Sequence, residues 1–201
     1  MLCIFSLDML VGGADVSGDR RREGQRNYIA FLVGTEERIN KIYKDIGING
    51  IHMSELSEKQ RMQVHRNLNF NSKNVHAWCL HVQRQRIENY ILNHDRLRNY
   101  KKPKVNIHKN FDYHLLNSLK AELESFAYSH KQEFSDIVIQ TDSDMSDTIE
   151  QWNMMRVDEG RAYELADAVA WLNQRNIPID SCNDMDLRED IKLSMEQDLL
   201  K

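Results

Sequence analysis

The chain is poor in the residues that punctuate and cross-link a fold. Two prolines, Pro103 and Pro178, and eight glycines in 201 residues leave no Pro- or Gly-rich linker between separate domains. The whole span 1–201 therefore reads as a single domain. Three cysteines, Cys3, Cys79 and Cys182, stand far apart and are odd in number. They form no CxxC and no zinc-ligand spacing, which excludes a disulfide framework and leads us to expect a reducing, cytoplasmic setting. No apolar run approaches the ~18 residues of a membrane span. The opening "MLCIFSLDML" has no basic flank and is broken by Asp8, which reads against a signal peptide. The first clear strand begins near Met9, so Met1 and Met9 are alternative starts. A P-loop, GxGxxG, GxSxG and HExxH are all absent, and neither Cys79 nor Cys182 has a legible base. Nucleotide-cofactor, serine-hydrolase, zinc-protease and cysteine-nucleophile chemistries lose their usual signatures.

Charge is present in quantity and unevenly placed. The formal net charge is −4. Residues 84–109 nevertheless carry eight Lys and Arg against Glu88 and Asp95, whereas residues 133–167 carry ten acids against Arg156 and Arg161. The first segment suits phosphates and the second suits cations. Arg20, Arg21, Arg22 and Arg26 in "DRRREGQR" offer guanidinium forks for phosphate, or form a solvated loop. Arg98, Lys101, Lys102 and Lys104 surround Tyr100, a mixture found in grooves that bind single strands, or form an exposed basic loop. His52 is a candidate contact to a phosphate or to a metal-bound water, or a packed histidine.

Periodicity predicts an α/β fold. "MLVGGADVSG" and "NYIAFLVG" read as an antiparallel pair joined by the charged loop. Thr35 caps a helix with Ile39, Ile42, Tyr43 and Ile46 on one face, closing at Gly47. Ser54 precedes a second helix with Met62, Val64 and Leu68 as apolar points, so 35–72 is a helical insert after the second strand. Val75, Ala77 and Cys79 alternate as a third strand. Phe111, Leu115, Leu119, Leu123 and Phe126 line one face of a later helix. "DIVIQTD" is a short strand, "VDEGRAYELADAVAWLNQRN" a helix, and 183–201 a last helix.

Carboxylates stand at particular ends of these elements. Asp15 ends the first strand, Asp142 ends "DIVIQTD" with Asp144 two residues on, and Glu164 and Asp167 lie three apart on one helix face. An ionised carboxylate in an apolar setting needs a partner. Gathered carboxylates raise one another's pKa unless a cation sits among them, and oxygen-only ligands favour Mg²⁺ or Mn²⁺. Each acid also has an ordinary reading as a turn residue, a cap or a surface group.

Three motifs carry a family resemblance. "ADVSG", "IVIQTDSD" and "ELADAVAWL" resemble the first-strand Asp, the fourth-strand Asp and the RuvC-like final helix of the ribonuclease H-like superfamily. "IHMSEL" is similar to a segment of the small archaeal and bacterial members. The resemblance spans residues 9–175 in element order. It implies a mixed central sheet of about five strands flanked by helices. It also implies a nuclease that uses two Mg²⁺ or Mn²⁺ ions to activate water for in-line attack on a phosphodiester in RNA, RNA/DNA hybrid or structured DNA. On this resemblance Asp15 bridges both ions, Asp142 holds the first, and Asp167 with Glu164 holds the second. The remaining acid is Glu55, Glu88 or Glu122, and the insert at 35–72 departs from the family order. The alternative is an inactive module of the same fold that holds nucleic acid or a protein partner. An actin-like phosphotransferase shares an Asp-x-Ser-Gly element, but 201 residues leave no room for its second half.

Overall fold

The computed structural model describes residues 9–17, 26–83, 119–120, 122–141, 155–158 and 160–185. Six strands form one sheet: β1 (Leu10–Ser17), β2 (Arg26–Thr35), β3 (Val75–Gln83), β4 (Val138–Thr141), β5 (Met155–Asp158) and β6 (Cys182–Met185). Their order across the sheet is β5-β4-β1-β2-β3-β6. β1 and β3 both pair antiparallel with β2, while β4 joins β1, β5 joins β4 and β6 joins β3 in parallel. β2 alone runs against the other five. This is the expected mixed sheet, with one strand more than expected. Two strands, β5 and β6, were not read from the sequence, and β6 falls where a last helix was predicted to start. Residues 186–201 lie outside the described residues.

The two faces of the sheet follow from strand alternation. Val11, Tyr28, Ala30, Leu32, Val75, Ala77 and Cys79 join the core beneath three helices. These are α1 (Glu36–Ile46), α2 (Glu58–Asn67) and α3 (Arg161–Gln174). The opposite face pairs Phe31 with Trp78 across β2 and β3, their ring centres 6.5 Å apart. Trp78 Nε1 donates to Glu122 Oε2 at 2.8 Å, which seats helical residues 122–129 on that second face. Phe111 and Leu115 lie outside the described residues, while Leu119, Leu123 and Phe126 are buried as their spacing predicts.

The helical insert is as expected between β2 and β3, and its first helix follows the sequence closely. Thr35 Oγ1 accepts from Arg38 N at 3.3 Å, and Gly47 closes α1 at φ 70°, the left-handed conformation that favours glycine. Ile39, Ile42, Tyr43 and Ile46 are buried. The second helix starts later than predicted. Its cap is Ser57, in a reciprocal capping box with Gln60, and Ser54 instead sits in the preceding turn. The Ser-x-x-Gln spacing is the stronger signal, because it satisfies two orphan donors at once. Val64 and Leu68 are buried, whereas Met62 is exposed.

The helix read from Val157 also begins later. Met155–Asp158 is strand β5, paired with β4, and α3 starts only after Gly160. Four residues are too short to show a strand period, and their pairing with β4 overrides the helical pattern that follows.

Candidate functional site

Asp15 stands near the C-terminal end of β1, in the middle of the sheet. Its partner across β2 is Ala30, and Ala30 pairs in turn with Cys79. Both of these cross-strand neighbours are small, and Asp15 is only 6% exposed. β4 runs beside β1 in the same direction, with Ala14 opposite Thr141. Thr141 Oγ1 donates to the Ala14 carbonyl at 3.0 Å and ties the two strand ends together. Asp15 and Asp142 each follow that pair in the sequence. Asp142 and Asp144 lie outside the described residues.

α3 lies along the same face, and three features fix it there. Gly13 has no side chain because the helix backbone occupies its place: a Cβ there would stand 2.0 Å from the Ala162 carbonyl oxygen. Gln140 Oε1, from β4, accepts from Ala162 N at 2.8 Å and Tyr163 N at 3.4 Å. This side chain satisfies first-turn donors that Gly160, lacking a side chain, cannot cap. At the other end Ser17 Oγ donates to Gln174 Oε1 at 2.9 Å. α3 is thereby held to β1 along its length.

The two acids of α3 each accept hydrogen bonds from the insert. Glu164 Oε2 accepts from Ile51 N at 2.6 Å and from the Tyr43 hydroxyl at 2.5 Å. That hydroxyl accepts from Gly50 N at 2.7 Å. Asp167 Oδ2 accepts from Met53 N at 2.9 Å. The spacing of three therefore clamps alternate backbone amides of segment 50–53 from the insert. Burial pushes the Asp167 carboxyl above the usual range. The Met53 amide and His52 oppose this, and the nearby Glu164 adds to it. Burial, then the bond to Glu164, raises the Tyr43 phenol, partly offset by Gly50 and by Arg161. Arg161 stands 5.2 Å over the Tyr43 ring and donates to Asn40 Oδ1 at 2.6 Å.

The candidates for a further acid separate cleanly. Glu122 takes the Trp78 indole on the sheet face opposite Asp15. Glu55 is exposed, its amide donating to the His52 carbonyl at 2.9 Å. Glu88 lies outside the described residues, as do Arg20, Arg21, Arg22, Arg98, Lys101, Lys102 and Lys104. Arg26 is the first residue of β2. Among the described residues, no three His, Cys, Asp or Glu side chains are grouped to hold a metal ion. The described donors alone therefore do not make up a two-ion site.

One cluster escaped the reading by motif. Trp171, on α3, has the Arg175 guanidinium carbon 3.5 Å and the Arg61 guanidinium carbon 5.0 Å from its ring centre. Trp171 and Arg175 are four apart on the chain, a spacing that places two helical side chains together. Arg61 comes from α2, and nothing local announces it.

No known protein-family profile and no curated protein matches the chain. Among solved structures it is similar to the ribonuclease H2 of Pyrococcus horikoshii OT3, at 16% identity over 84% of this chain and 73% of that one, with a TM-score of 0.46. It is also similar to the ribonuclease HII of Archaeoglobus fulgidus, solved with PCNA, at 14% identity over 84% of this chain and 74% of that one, with a TM-score of 0.43. Among the described residues no helix is long and apolar enough to cross a membrane.

Proposed function

We propose that the chain is a ribonuclease H-like, metal-dependent nuclease that hydrolyses phosphodiester bonds in RNA, RNA/DNA hybrid or structured DNA. One observation carries the reading: Asp15 is buried near the end of the central strand, beside a parallel strand whose chain runs directly into Asp142. In open α/β sheets the crevice outside the carboxyl ends of parallel strands is where ligands bind. Asp15 and Asp142 would hold Mg²⁺ or Mn²⁺, with Glu164 and Asp167 contributing from α3 and Glu55 the candidate further acid. When bound, the metal supplies Lewis acidity and an activated water. The protein supplies a rigid frame, because α3 is fixed to β1 by Gly13 and Ser17 and to β4 by Gln140. The basic groups Arg20, Arg21, Arg22, Arg26, Arg98, Lys101, Lys102 and Lys104 would receive the nucleic-acid backbone. We place this activity in a single domain working in the cytoplasm.

A second reading has its own support. Glu164 and Asp167 are both engaged with the backbone of segment 50–53, which favours an inactive module that holds nucleic acid. Thermal unfolding separates the two. The nuclease reading expects Mn²⁺ to raise the melting temperature of the wild type by mass action, and Asp15→Asn to abolish that shift. An unmoved melting temperature in the wild type favours the binding module.

A further inference from the structure

Arg61, Trp171 and Arg175 form a cluster that the nuclease reading does not use. Both guanidinium groups lie against one indole, at 5.0 and 3.5 Å from its ring centre. Neither makes an ion pair with a carboxylate among the described residues, and both stand over the same ring. Their mutual repulsion registers on Arg175, whose pKa is lowered first by burial and then by Arg61. Such an arrangement is stable in water, but it attracts an anion more strongly than either cation alone.

The two groups are also held in place. Arg61 Nε donates to the Met53 carbonyl at 2.8 Å and Nη2 to the Ser54 carbonyl at 2.9 Å. Arg175 Nη1 donates to Gln174 Oε1 at 3.1 Å and to the Trp171 carbonyl at 3.3 Å. Each guanidinium carries five N–H donors, so several remain on both. Gln174 Oε1 is also the acceptor for Ser17 Oγ, two residues beyond Asp15 on β1. The cluster is thus one side chain removed from the strand end where the candidate site lies. Trp171 is partly buried against the core, and arginine beside an aromatic ring is a combination found where a nucleic-acid backbone is received.

We propose that Arg61, Trp171 and Arg175 form a phosphate cradle that grips a nucleic-acid strand beside the C-terminal end of β1. The proposal rests on the reading that this chain handles nucleic acid, and it names where the strand is held.

Binding of a fluorescein-labelled single-stranded RNA, measured by anisotropy in EDTA across a salt series, tests the cradle with cleavage switched off. We expect Arg175→Gln to weaken binding about fivefold and to reduce the salt slope by about 1. Arg175→Lys, which keeps the charge but not the planar stack, falls between the two. Melting temperatures of all variants are measured alongside. Should Arg175→Gln fail to fold, Trp171→Phe replaces it: the RNA-induced change in tryptophan emission must disappear with that ring. Inorganic phosphate is the competitor that separates a free anion from a strand. Unchanged affinity and slope in Arg175→Gln overturn the cradle, as do an emission change that survives Trp171→Phe and a wild type that binds no RNA. Complete displacement of RNA by millimolar phosphate overturns the assignment to a strand. Loss of metal-dependent cutting in Asp15→Asn with RNA binding intact bears on the nuclease reading alone.

Discussion

The Met53 amide donates to Asp167 Oδ2 at 2.9 Å, across 114 positions of sequence. With the Ile51 amide on Glu164, this bond fastens the insert to α3. Asp167→Ala leaves a partly buried amide without its acceptor, and we expect a loss of about 1–3 kcal/mol in denaturant unfolding. Asp167→Asn keeps an acceptor oxygen and loses less. Equal losses in the two variants would show that the charge, not the bond to Met53, holds the segment.

The contact of Gly13 with α3 admits no side chain. A Cβ at this position would lie 2.0 Å from the Ala162 carbonyl oxygen and 2.7 Å from Tyr163 N, both backbone atoms that cannot swing aside. Gly13→Ala should therefore cost about 3 kcal/mol or more. At about 2–4 °C per kcal/mol for a chain of this size, calorimetry should show a melting temperature lower by roughly 10 °C. A change of a degree or two would mean that α3 can slide on the sheet without penalty.

His76 makes the outer face of the sheet sensitive to acid. Its ring stands 5.0 Å from Phe126 and 5.7 Å from Trp78. Burial lowers its pKa, His130 lowers it further, and Glu122 opposes them. A histidine whose folded pKa is depressed contributes stability that is present above the ordinary value of 6.5 and is lost as pH falls through the folded one. Stability measured from neutral to mildly acidic pH should therefore fall less steeply for His76→Gln than for the wild type. NMR titration of the ring should give a midpoint below the ordinary one. A midpoint at or above it would contradict the packing described.

Much of the frame was readable because it depends on local pattern. Val75, Ala77 and Cys79 alternate and are all buried, and Thr35 and Gly47 bound α1 as their chemistry predicts. What long-range pairing decides was not readable. β5 is four residues that become a strand only by lying beside β4, so they were absorbed into the helix that follows. The spacing of Glu164 and Asp167 showed that they share a helix face. It did not show what they face, since the same spacing serves a cation or a pair of backbone amides. Gln140 gave no sign of capping α3, because its partners are more than twenty residues away. Trp171 and Arg175 were legible as helical neighbours, but Arg61 reaches them only through the packing of α2.

The proposed role of Asp15 is to anchor the metal of a nuclease. A cleavage assay tests it most directly, on labelled RNA, RNA/DNA hybrid, single-stranded DNA and a four-way junction. Each substrate is incubated with Mg²⁺, Mn²⁺ or EDTA, with wild type and Asp15→Asn side by side. We expect cutting of at least one substrate with metal, none with EDTA, and a fall of about a hundredfold or more in Asp15→Asn. Cutting that survives the substitution, or no cutting of any substrate by the wild type, would contradict it.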